Sequence, residues 1–219
     1  QQYGLDNVIG LARRLGISGY LDPVGPLALG AANIPLFQMV GAIGSFANEG
    51  VYIKPTFLLR IEDKNGNMLY ERKPKVVFAL NEQTAYVMTQ MLKGVVENGT
   101  GSRLRYKYGL TNPIGGKTGT TQNNSDGWFM GIVPNLATGV WVGGEDRATH
   151  FKGITFGQGA TMALPIWALY YKKLYADPKL NVSIEEFDKP ENLSIEIDCS
   201  KTAETEEDVL NSIDEDPEF

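Results

Sequence analysis

Residues 115–143 read GGKTGTTQNNSDGWFMGIVPNLATGVWVG, and this stretch decides the fold class. It divides into three short segments, Gly115 to Thr121, Gly127 to Val133 and Ala137 to Gly143. Turn chemistry separates them: Gln122 to Asp126 first, then Pro134-Asn135. The second and third segments are apolar almost throughout, which predicts strands in the centre of a sheet with helices on each face. Working outward, Met162 to Tyr175 has helical spacing, with Pro165 tolerated only in a first turn. On the N-terminal side, Asn81 caps a helix that turns Ala85, Met88, Leu92, Val95 and Val96 inward and stops at Gly99. A further helix is predicted from about Pro35 to Asn48, with Leu36, Met39, Val40, Ile43 and Ala47 on one face. Gly41 and Gly44 would let another element approach it, and Gly50 would end it. A first helix carries Val8, Leu11, Ala12 and Leu15 between Asp6, as N-cap, and Gly16. Tyr52 to Ile61 and Met68 to Arg72 read as strands joined by Asn65-Gly66, a type I′ hairpin signal. Pro55 gives the first of them a free edge.

Composition narrows the class. Of the 219 residues, 42% are hydrophobic and 21% charged, which excludes whole-chain disorder and a fibrous repeat. The net charge of −6 hides an asymmetry: eight of the 26 acids, and no base, lie in residues 202–219. The remaining 18 acids face 20 bases. Residues 1–201 are therefore expected to form the folded body, and residues 202–219 an acidic, disordered tail. Neither part has the basic stripe of a nucleic-acid binder. A single cysteine, Cys199, permits no internal disulfide, and a single histidine, His150, no His-rich metal cluster. The longest uncharged stretch, Val24 to Asn48, is broken by Pro26, Gly30, Asn33, Pro35 and Gln38. The apolar run after Pro35 is too short for the roughly 30 Å of a bilayer core, so it reads as a buried helix. The chain starts at Gln1, without an initiator Met or a signal-peptide pattern, just ahead of a helix. A piece of a longer protein is expected.

The chemistry concentrates in Gly115-Gly116-Lys117-Thr118-Gly119-Thr120-Thr121. Lys117 brings a fixed positive charge that favours an anionic substrate and proton movement near a nucleophile. The hydroxyls of Thr118 and Thr120 can hold a carboxylate. Gly119, lacking a side chain, lets a substrate backbone lie along the strand as an added strand. The Thr120 N–H can then face a developing oxyanion. A phosphate-binding loop is excluded. That motif needs a glycine at position 111, which is Thr111, and a helix after it, where turns and strands follow here.

In context, GKTGTTQNNSDGWFMG (116–131) and VWVGGEDR (140–147) resemble the transpeptidase domain of class A penicillin-binding proteins. Three more segments resemble it in matching order: SFANEG (45–50), VVENGTG (95–101) and GATMALPIW (159–167). The resemblance runs from about Val8 to Tyr175. It implies an α+β fold, a mostly antiparallel sheet sandwiched by helices, of which this chain holds the C-terminal part. It implies a peptidoglycan cross-linking D,D-transpeptidase working through an acyl-serine, with D-Ala-D-Ala stem peptides as substrates and β-lactams as inhibitors. Lys117 and Thr120 would be catalytic, and Thr118, Gly119, Thr120 and Thr121 would bind substrate. No metal or organic cofactor is implied. The parent would carry a glycosyltransferase domain and a membrane anchor upstream, and would face the periplasm or cell exterior. The family's Ser-x-x-Lys and Ser-x-Asn motifs are missing. None of the eight serines (18, 45, 102, 125, 183, 194, 200 and 212) has Lys three residues on or Asn two residues on. Both motifs are expected upstream of Gln1, on the remainder of the same domain, and this chain alone is expected to be inactive. A penicillin hydrolase, or a non-catalytic binding or scaffold module that kept the strand, remain as alternatives.

Other candidates read as structural. Asp126 is expected to bond backbone in its turn, and Trp128 to join the core. His150 reads as a loop residue and Cys199 as a lone thiol. Arg103 and Arg105 read as a solvated face.

Overall fold

The computed structural model describes residues 4–197. The acidic tail and Cys199 lie outside the described residues. In chain order the elements are α1 (Leu5–Arg14), α2 (Leu36–Ala47), β1 (Val51–Ile53), β2 (Arg60–Glu62), β3 (Met68–Glu71), β4 (Val76–Phe78), α3 (Glu82–Glu97), α4 (Arg103–Tyr106), β5 (Gly115–Thr120), β6 (Asp126–Val133), β7 (Leu136–Gly143), α5 (Ile154–Gly157) and α6 (Gly159–Ala176).

The three segments of residues 115–143 form an antiparallel meander in the order β5-β6-β7. Gly116 stands opposite Gly131, and Trp128 opposite Trp141. The expected two-sided cover is present. On one face α6 lies across β6, and a Cβ on Gly131 would sit 2.6 Å from the Trp167 ring. Trp167 is fully buried, stacked on Tyr171 at 3.6 Å and edge-on to Phe129 at 5.4 Å. On the other face, Met130 and Ile132 pack with Ile43 of α2 and Leu92 of α3. Side chains alternate along a strand. Phe129 and Val133 therefore serve the α6 side, and Met130 and Ile132 the α2/α3 side.

Helix α3 starts where its cap predicts: the Asn81 side chain accepts the Thr84 N–H at 2.7 Å. Of the residues expected inward, Ala85, Leu92 and Val96 are buried, whereas Met88 and Val95 are half-buried. Thr89 completes the buried face. Asn81→Ala should lower stability by about 1 kcal/mol through the lost cap, read as a shift in the urea midpoint with unchanged slope. Gly41 and Gly44 admit their neighbours as expected, Pro55 and Ala137 respectively.

Several expectations change. Tyr52 to Ile61 is two strands. The chain breaks around Pro55, after which β1 pairs with β4 and β2 with β3, the strand β4 having been missed. The hairpin at Asn65-Gly66 exists, yet only Gly66 has positive φ (+83°). Gly66 N–H bonds the Asp63 carbonyl, and Asp63 N–H bonds that of Asn67. This is a turn closed by a left-handed glycine with a register shift between Ile61 and Glu62, rather than type I′. A bond from the Asn67 side chain, then those from the Asn67 and Asn65 N–H groups, hold the Asp63 carboxyl below the usual carboxylate range. Helix α1 begins at Leu5 after Gly4, so Asp6 sits inside its first turn instead of capping it. Helix α6 begins at Gly159, which puts Pro165 in the helix interior. Lacking an N–H, Pro165 leaves the Thr161 carbonyl without its helical donor. The stretch Val24 to Asn48 is not buried throughout: Leu29 is 90% exposed, and only Ala42, Ile43 and Ser45 of α2 are buried. Among the described residues no helix is long and apolar enough to cross a membrane.

Candidate active site

Among the described residues strand β5 is an edge strand, paired on one side only with β6. In an antiparallel ladder, residues whose N–H and C=O face the partner alternate with residues that face away. Thr121 N–H bonds the Asp126 carbonyl at 3.2 Å, so the odd positions of this segment face β6. Gly116, Thr118 and Thr120 therefore turn their backbone groups to the free edge. The Thr118 carbonyl accepts a bond from Lys117 Nζ at 2.6 Å there. The Thr120 N–H points the same way, open to an incoming acceptor.

The side chains divide by face. Lys117 stands opposite Met130 on the α2/α3 side and is exposed. Thr118 and Thr120 share the α6 side. Thr120 Oγ1 accepts the Gly159 N–H, the first donor of α6, at 3.0 Å. Thr118 Oγ1 lies 2.7 Å from Thr100 Oγ1, which belongs to the loop between α3 and α4. Gly119 is backed by Gly159: a Cβ on Gly159 would fall 2.3 Å from the Gly119 carbonyl oxygen. Thr121 differs from the others. Its hydroxyl lies 2.9 Å from Ser125 Oγ and accepts the Asp126 N–H at 3.0 Å, closing the turn into β6. The structure thus brings Lys117, Thr118, Gly119 and Thr120 to one open edge and engages Thr121 within the protein. A surface depression of ≈ 700 Å³ lies elsewhere, lined by residues including Arg14, Glu49, Phe78 and Asn81 and none of the strand motif.

The remaining candidates fall as follows. Trp128 is half-buried and packs against the Ile43–Leu92–Met130 cluster. Asp126 does not bond its turn through its side chain; Oδ1 is buried without a hydrogen-bond partner among the described residues. His150 is exposed, with Nδ1 3.0 Å from the Phe151 carbonyl oxygen. Arg105 is not part of a solvated face. It reaches across to Glu97 and to the carbonyls of Leu110 and Asn112, tying α4 to the segment that enters β5. Its hydrogen bond, ahead of its charge, holds the Glu97 carboxyl below the usual range.

Sequence reasoning missed two contributors. Thr100 lies inside the family-like segment VVENGTG (95–101), which marks the region but not its contact with the strand. The Gly159 N–H is a backbone group and left no side-chain signature.

The family model described as the penicillin binding protein transpeptidase domain matches residues 1–148. The chain is 34% identical over 198 residues to penicillin-binding protein 1A of Aquifex aeolicus, covering 89% of this chain and 25% of that protein. The chain spans a quarter or less of the length of the curated relatives it matches. Among solved structures, penicillin-binding protein 1A from Haemophilus influenzae superposes with a TM-score of 0.72 at 24% identity, over 86% of this chain and 33% of that one. The PonA1 protein from Mycobacterium tuberculosis in complex with penicillin V gives 0.66 at 22% identity, over 84% and 52%. These structural likenesses establish the fold.

Proposed function

The chain belongs to the penicillin binding protein transpeptidase domain family, and we propose that it is the C-terminal part of the catalytic domain of a class A, peptidoglycan cross-linking D,D-transpeptidase. The observation that carries this reading is the open edge of β5. There Lys117, Thr118 and Thr120 converge on a strand whose outward carbonyl and N–H can pair with an extended peptide.

The proposed sequence of events is an acyl transfer. A stem peptide ending in D-Ala-D-Ala lies along β5, with its terminal carboxylate near the Thr118 and Thr120 hydroxyls. The serine of the upstream Ser-x-x-Lys motif attacks the penultimate carbonyl. The Thr120 N–H stabilises the oxyanion, and Lys117 leaves the Thr118 carbonyl to assist the proton that moves from serine towards the leaving D-Ala amine. Collapse releases D-Ala, and an amine of a neighbouring stem then takes the acyl group. β-Lactams enter the same geometry and stop at the acyl-serine. Thr121 supports the strand end instead of touching substrate, because its hydroxyl is engaged in the turn. The upstream remainder of the domain is the physical partner of this chain, consistent with exposed apolar side chains such as Leu29 (90%) and Phe57 (94%). An N-terminal anchor on the parent would place this edge on the periplasmic or outer side of the membrane.

A fluorescent penicillin tests the reading. The full-length protein should give a labelled band that survives denaturation, and this chain alone, at 24.0 kDa, should give none. Without Ser-x-x-Lys it has no nucleophile paired with a base. A labelled 24 kDa band, or an unlabelled full-length protein, would sink it.

A further inference from the structure

We propose that Thr100 is a positioning residue for the transpeptidase site: it donates to Thr118 Oγ1 and so commits the Thr118 proton to the substrate carboxylate. This rests on the transpeptidase reading above and deepens it.

A hydroxyl carries one proton and two lone pairs, whereas a carboxylate only accepts. A threonine that must hold a carboxylate works best when its oxygen already accepts a bond from the protein, because its proton is then free for the ligand. Thr120 meets this condition without ambiguity. The group that reaches it is the Gly159 N–H, which can only donate, at 3.0 Å. Thr118 lies on the same face of β5, and the group that reaches its oxygen is the Thr100 hydroxyl at 2.7 Å. With Thr100 as donor, the two threonines of β5 become equivalent: each oxygen is occupied from behind, and each proton points to the cleft. The pair is then a site for an anion and repels a donor.

Thr100 is held well enough for this role. Helix α3 ends at Glu97, and the Val95 carbonyl accepts the N–H groups of both Gly99 and Gly101, at 3.1 and 3.0 Å. Thr100 sits between these two donors, at the apex of a cap. A Cβ on Gly99 would lie 2.8 Å from the Val95 carbonyl oxygen, so the loop is tight against the helix end and its apex has one course. Arg105 anchors the far side of the same loop through Glu97. The loop and strand reach the site from positions 18 residues apart, which explains why no local pattern in the sequence pairs them.

The test uses the full-length protein and two probes, a penicillin with its free carboxylate and the methyl ester of the same compound. The rate constant for acylation is measured for each. The wild-type protein should prefer the acid. Thr100→Val should reduce that preference on the order of ten-fold, the scale of a hydrogen bond to a charged group. Thr100→Ser should restore it. In a Thr118→Val background, Thr100→Val should add little, because both act through one hydroxyl. The proposal is overturned if acid and ester rates fall together with the preference kept, since that is what a deformed loop would do. It is also overturned if Ser fails to restore the preference, or if the two substitutions add. A wild-type protein that is never acylated removes the transpeptidase reading itself, and this role with it; one that is acylated without preferring the acid removes the carboxylate assignment alone.

Discussion

Full-length protein carrying Lys117→Ala should be acylated by a penicillin roughly 10²–10³-fold more slowly than the wild type, a scale set by the loss of one preorganised electrostatic group from an acyl-transfer site. Its melting temperature should hardly move. Lys117 is exposed, and its described polar contact is the Thr118 carbonyl of its own strand, so little packing is removed. Surface substitutions away from caps and cores usually stay within about 0.5 kcal/mol. The acylation rate constant and the thermal midpoint should be measured on the same preparation. Parallel collapse of both would make Lys117 a structural residue and cost the motif its catalytic meaning. Lys117→Arg is the companion variant. It keeps the charge but trades a compact ammonium for a planar fork that cannot give up its proton, so it should recover only part of the rate.

Trp167→Ala should have the largest effect on stability, about 3–5 kcal/mol. The ring is fully buried, stacked on Tyr171 and edge-on to Phe129, and it fills the space that Gly131 leaves open over the middle of β6. Removing it leaves a cavity between α6 and the sheet that rigid neighbours can close only in part. In a domain of this size the thermal midpoint should fall by on the order of 10 °C. Chemical denaturation of the full-length protein, followed through this domain, is the measurement. A loss under 1 kcal/mol would mean that α6 does not pack on β6 as described. Protein that remains folded should keep most of its acylation rate, because the seam of Gly159 with Gly119 and Thr120 lies two turns away along the helix.

What could be read from the sequence follows the range of the interactions involved. The meander of β5, β6 and β7 was legible because its signals are local: apolar runs bounded by Asn, Ser, Asp and Pro. The start of α3 was legible because Asn81 caps it from the adjacent position. The error at Tyr52 to Ile61 came from reading a run of apolar residues as one strand. Pro55 breaks it, and β1 finds a partner in β4, 23 or more residues on. The start of α6 was placed late because Gly159 is a poor helix former by propensity. It is there because only a glycine can lie against the Gly119 and Trp128 carbonyls. At the site, Lys117, Thr118, Gly119 and Thr120 are sequence neighbours, so the motif exposed them together. Thr100 and the Gly159 N–H reach the same strand through tertiary packing. The sequence marks their segments, VVENGTG and GATMALPIW, as family-like but does not pair either with the strand.

The meander has a second edge. Strand β7 pairs with β6 alone among the described residues, and its eight residues, LATGVWVG, include no charge and no proline. Natural sheets guard such edges with lysines, bulges or a covering segment. On β5 the exposed Lys117 serves as that guard, whereas on β7 the first charges come only at Glu145 and Asp146, beyond the strand. Purified by itself, the chain therefore presents a ready template for edge-to-edge pairing with its own copies. Its colloidal behaviour should be governed by that strand more than by its net charge of −6.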